Sequence, residues 1–169
     1  MVRKATENVQ TVKAQRLTAF HEAGHAVMAE LCGRHVTEVE IVGDREHAGT
    51  VRSLALAPDP VVEAVPEIEA EEVERQLKIM LAGLVAETIV SGREEWDESS
   101  EDLDVAVRFA MRLVDDCEDV LPLLEDIRAE VEHELRLRWP AVETVAWALM
   151  QHKSLSGTEL RKLLAPTLE

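Results

Sequence analysis

From Thr11 to about Cys32 the apolar residues Val12, Leu17, Phe20, Ala23, Val27, Met28 and Leu31 recur at helical spacing, and Gly33 stands where such a helix stops. This stretch constrains the fold most, because its polar face carries His21, Glu22 and His25. A four-residue step turns about 400°, so the two histidines leave one face of the helix, one turn apart. Any fold for the chain must bury the apolar stripe and bring something up to that pair.

The remaining segments fit an α-rich chain with a small sheet. Val, Thr and Ile alternate with Glu over Val36 to Val42, and a second β-prone run follows from about Thr50 to Leu56. Gly43, Asp44 and Gly49 lie between them, which predicts a hairpin. A proline-marked connection then enters a second helix, Glu-rich in its first turn and running to about Val90, with Gly92 beyond its end. Ser99 or Ser100 is placed to cap a third helix carrying Leu103, Val107, Met111 and Val114. Two more helices are expected over about 122–138 and 141–152, and "LSGTELRKLL" closes the chain as a short capped helix. The expected fold is mainly α with a small β-hairpin, in one domain over 1–169 whose residues 1–10 form a flexible N-terminal segment.

Composition narrows the function classes. A formal net charge of −16 argues against nucleic acid as a partner, since phosphate contacts need clustered Lys and Arg. No run approaches the roughly 20 apolar residues of a membrane span, and the basic N-terminus lacks the apolar core of a signal peptide. Cys32 and Cys117 show no CxxC spacing, so a cytoplasmic, reducing location is the expectation.

H-E-x-x-H on a helix has a mechanism behind it. Two neutral imidazoles one turn apart suit Zn²⁺ at about 2.0–2.1 Å, and the intervening Glu22 can reach a metal-bound water as general base. Chance placement of six histidines among many glutamates is the competing explanation. The helical setting and the small residues of "EAGHA" count against it. A catalytic zinc needs a third protein ligand. The long metzincin pattern would put Gly at 28 and His at 31, but Met28 and Leu31 stand there, so that class is excluded. His35, His47, His133, His152 and many carboxylates remain open, and spacing does not choose among them.

At larger scale the chain resembles the peptidase domain of the FtsH-type membrane-associated proteases, from about Gln15 to Leu164. The resembling stretches are "TAFHEAGHAVMA", "RHVTEVEIV", "HAGTV", "LAGLVAETIVSG", "SSEDLDVAVRFAMRLV" and "LSGTELRKLL". The fourth is similar to the family's G-G-R-A-A-E-E segment and the fifth to its A-S-N-D-L. The resemblance implies a zinc metalloendopeptidase with one Zn²⁺ per chain, His21, His25 and Asp102 as its ligands, and Glu22 as the catalytic base. It implies a supporting role behind the ligands for Glu87. It also implies that the strand around Gly49, Thr50 and Val51 offers its edge to an extended protein or peptide substrate.

The departures are specific. No GxxxxGK[ST] motif is present, so ATP-driven unfolding is expected from a separate ATPase partner or not at all. The family's rings make a homo-oligomer an expected assembly. Leu84 replaces the family's Arg, and Glu101 replaces the Asn beside the ligand. Residues 117–126 are shorter than the family's corresponding region. A peptide-binding module that does not cut is the rival function, against which the retained Glu22 argues.

Overall fold

The structure is a computed structural model that describes residues 2–41, 50–53, 70–93 and 100–166. Among the described residues six α-helices and three short strands follow one another as α1 (Val2–Leu31), β1 (Val36–Glu40), β2 (Thr50–Ser53), α2 (Ala70–Ser91), α3 (Glu101–Ala110), a 3₁₀ turn (Cys117–Asp119), α4 (Val120–Leu137), α5 (Trp139–His152), β3 (Ser154–Ser156) and α6 (Gly157–Leu164). The expectation of a mainly helical chain with a small sheet is borne out.

Helix α1 begins ahead of Thr11, where the apolar stripe starts. No Gly or Pro interrupts residues 2–16, so nothing local stops the helix there. Its C-terminus is set by Gly33 at φ +73°, with Arg34 N–H bonding to Ala29 O and Gly33 N–H to Glu30 O. That pair of bonds is the Schellman arrangement glycine permits. Gly92, at φ +67°, closes α2 in the same left-handed conformation.

Helix α2 is the centre of the molecule. From Leu81 to Ala86 every residue is buried, and the helix packs against α1, α3 and α4. A helix surrounded in this way has to be apolar on most sides, as "LAGLVA" is. Around it Phe20 and Val27 of α1, Leu124 and Val131 of α4, and Val145 and Leu149 of α5 complete the core. Phe20 stacks on Trp139 with ring centroids 5.7 Å apart. Val12 lies on the apolar stripe of α1 but is 51% exposed, because the helix runs past the body at that point.

Helices α1 and α2 meet through small residues. A Cβ on Gly24 would lie 2.4 Å from the carbonyl oxygen of Ala82 and 2.8 Å from the Cβ of Ala86. Only glycine admits this approach, and it fixes which turn of α2 faces the histidines of α1.

The sheet has the order β2-β1-β3, antiparallel throughout. The expected hairpin pairs Val39 with Val51 and Glu40 with Thr50, with a bulge between Val36 and Glu38. The sequence reading has no third strand. β3 forms because Lys153, at φ +69°, turns the chain back on leaving α5 and its carbonyl accepts from Ile41 N–H. α6 follows at once, held by a capping box between Ser156 and Glu159. No described helix is long and apolar enough to cross a membrane.

Candidate metal centre

Helix α1 presents His21 and His25 on one face, as the spacing predicts, with ring centroids 4.5 Å apart. Asp102 sits in the first turn of α3, where a carboxylate is favoured by the helix dipole. Ser100 is the N-cap residue, although its hydroxyl makes no capping bond. Three ligand-type atoms converge. His21 Nε2 lies 2.9 Å from Asp102 Oδ2 and 2.9 Å from His25 Nε2, and His25 Nε2 lies 3.3 Å from Asp102 Oδ2. Among the described residues this is the one group of three or more His, Cys, Asp or Glu side chains able to hold a metal ion.

The other ring nitrogens decide what the inner ones offer. His25 Nδ1 donates to the carbonyl oxygen of Ile79 at 2.7 Å. His21 Nδ1 faces Glu87 Oε1 at 3.1 Å, an approach too bent for a fully formed hydrogen bond. With N–H assigned to Nδ1 by the hydrogen bond at His25 and by the neighbouring Glu87 charge at His21, both Nε2 lone pairs point inward. Two bare nitrogens and a carboxylate oxygen at such distances repel one another unless a cation lies among them. Three ligands placed about 2.0–2.1 Å from a tetrahedral ion would stand about 3.3–3.4 Å apart, within a few tenths of an ångström of what is seen. Two imidazoles and one carboxylate fit Zn²⁺ and leave a fourth position open.

Left to protons alone, the cluster redistributes charge. Burial would lower the His21 pKa, but its contacts with Asp102 and Glu87 outweigh that and push it up to about 10. Burial also works to raise Asp102, yet the hydrogen bonds from His21 and His25 hold it well below the usual carboxylate range. These shifts describe one ion pair seen from its two ends. Glu22 is buried, 4% exposed, and burial lifts its pKa above the ordinary glutamate value.

Of the alternative third ligands, His35 is exposed and lies beside Glu30 at 3.7 Å, away from the pair. His133 and His152 are exposed on α4 and α5. His47 lies outside the described residues, as does Gly49. Thr50 and Val51 open β2, which among the described residues pairs with β1 alone and forms one edge of the sheet. Sequence reasoning missed the Ile79 carbonyl, since a backbone acceptor leaves no mark on residue type. It also passed over Gly83, whose signal was a glycine in mid-helix.

Residues 8–118 match the model of peptidase family M41, a span that contains His21, Glu22, His25, Glu87 and Asp102. Among curated proteins, a chloroplastic/mitochondrial ATP-dependent zinc metalloprotease of the FtsH type from Arabidopsis thaliana is 24% identical over 92% of this chain and 22% of its own length. The ATP-dependent zinc metalloprotease FtsH of Rickettsia bellii is 29% identical over 64% of this chain and 16% of its own. That of Opitutus terrae is 31% identical over 66% and 17%. The chain therefore spans about a fifth of the length of the curated relatives it matches. The motif resemblance is borne out by the family match, which covers well over half of the sequence: the chain belongs to peptidase family M41.

Proposed function

We propose that the chain is a zinc-dependent endopeptidase acting on extended or unfolded protein segments. The observation that carries this reading is the convergence of His21 Nε2, His25 Nε2 and Asp102 Oδ2, with Nδ1 of His25 turned outward to Ile79 O and Nδ1 of His21 toward Glu87. These three side chains would hold one zinc ion, which when bound supplies Lewis acidity to a water and to the substrate carbonyl.

The chain's own residues supply the rest. Glu22 leaves α1 beside His21, and its buried carboxylate has a raised proton affinity. It accepts the proton of the attacking water and delivers it to the leaving amine. Ile79 orients His25 by a hydrogen bond to Nδ1, and Glu87 draws Nδ1 of His21 by its charge, so both Nε2 atoms stay turned toward Asp102. The edge of β2, at Thr50 and Val51, is suited to receive an extended peptide through backbone hydrogen bonds that tolerate many sequences. Gly49 belongs to the same proposal on sequence grounds.

The relatives are named as ATP-dependent proteases, and this chain corresponds to at most 22% of their length. That favours a second reading, in which cleavage of folded proteins waits on a separate ATPase, whereas an already unfolded chain needs none. A homo-oligomer and a cytoplasmic location complete the proposal. The deciding experiment is cleavage of an unfolded protein by the zinc-loaded chain. The parent should cut, and should stop when a chelator removes the metal. Glu22→Gln should bind zinc as the parent does and not cut. Equal rates for parent and Glu22→Gln would refute the mechanism. Zinc bound without cleavage by either would favour a peptide-binding role or a missing partner.

A further inference from the structure

Helix α2 passes over the two imidazoles at Gly83. A Cβ built there would stand 2.4 Å from His25 Nε2, 2.7 Å from His21 Nε2 and 2.8 Å from His21 Cε1. Those are not ordinary packing distances. They approach the separation between a zinc ion and its nitrogen ligands, about 2.0–2.1 Å. A side chain at position 83 would therefore crowd both coordinating nitrogens, His25 Nε2 most closely, and glycine leaves them accessible.

We propose that Gly83 forms the wall of the metal seat, and that any side chain at this position takes the place of the ion. The inference rests on the metal reading above and adds a residue that binds nothing itself. Its contrast with Gly24 shows why the two mid-helix glycines serve different ends. The nearest atoms to a Cβ on Gly24 are the backbone carbonyl of Ala82 and the Cβ of Ala86, so that glycine sets how closely the helices approach. The nearest atoms to a Cβ on Gly83 all belong to the ligand imidazoles, which are able to swing aside. A methyl at 83 should thus be compatible with the fold, and alanine is also the better helix former. What it takes away is room for an ion against the two Nε2 atoms.

The test is Gly83→Ala in the full chain, with zinc affinity read by competition against a chromophoric chelator and folding read by circular dichroism. Cobalt(II) absorption serves as an independent report of the ligand set. The expected result is a folded, helical protein whose zinc affinity falls by more than about 100-fold, with no tetrahedral cobalt spectrum. Disturbing an outer partner of a ligand costs about 10–100-fold, so a smaller loss overturns the proposal: the methyl would then only have tilted a ring. Should Gly83→Ala fail to fold, the variant that also carries His21→Ala and His25→Ala decides. Recovery of the fold supports competition between the methyl and the imidazoles for one space, and continued failure overturns it. A parent chain that takes up no zinc sinks the metal reading itself, and this inference with it. A parent that binds and a variant that binds nearly as well sink this inference alone.

Discussion

Gly24→Ala should damage the molecule where Gly83→Ala spares it, and the structure gives the size of the effect. The added methyl would lie 2.4 Å from the Ala82 carbonyl oxygen, 3.0 Å from its carbon and 2.8 Å from the Ala86 Cβ. Carbon contacts settle at about 3.5–4.0 Å, so relief requires the two helices to part by roughly 1 Å. The carbonyl belongs to the backbone of the buried central helix and cannot turn away. Overpacking of this kind costs about 1–3 kcal/mol, and the upper end applies because the obstacle is main chain. Alanine in place of glycine within a helix returns about 1 kcal/mol. The net is a destabilisation of about 2 kcal/mol, which for a chain of this size lowers Tm by about 4–8 °C. Thermal unfolding of the metal-free protein, followed by circular dichroism, measures it. The same parting draws His21 from Glu87 and His25 from Ile79 O, so zinc affinity should fall as well. Ala86→Gly removes the 2.8 Å contact but leaves the carbonyl in place, so it should restore only part of the loss. A Tm equal to the parent's, or higher, would refute the close crossing.

Two further outcomes are expected. Glu87→Gln keeps size but loses charge at a side chain 39% exposed, so metal-free stability should stay within about 0.5 kcal/mol of the parent. Zinc affinity should fall about 10–100-fold, and an unchanged affinity would deny Glu87 its orienting role. Lys153→Gly relieves a side chain held at φ +69°, so Tm should rise by about 2–4 °C for about 1 kcal/mol gained, where an unchanged Tm would show that lysine sits there without strain.

Most helices were legible because their signals are local. Gly33 and Gly92 stop α1 and α2 where expected, since a left-handed C-terminal residue is a demand on one position. Pro122 sits in the first turn of α4, where it lacks only a donor that the helix would not use, so the start at Val120 is little earlier than the sequence suggests. Helix α3 ends at Ala110 although its apolar residues continue to Val114; Leu113 and Val114 still pack against the core, but from a turn. Strand β3 was illegible because three residues cannot display a period. It exists through pairing with β1, which lies more than a hundred residues earlier.

The site divides along the same line. Spacing puts His21 and His25 on one face, but a face has no partner until another helix crosses it. Asp102 is one of 34 acidic residues and is separated from the histidines by the whole of β1, β2 and α2, so no local rule selects it. What selects it is α2, which holds α1 by one side at Gly24 and α3 by another, and so delivers the first turn of α3 to the histidine pair. The two interior glycines were the trace of this arrangement in the sequence. Each costs helix stability of about 1 kcal/mol and each needs a reason, and both lie where α1 and α2 meet. On the reading proposed above, Gly83 belongs to the metal seat beside His21 and His25, and that place becomes readable only when the crossing of the helices is known.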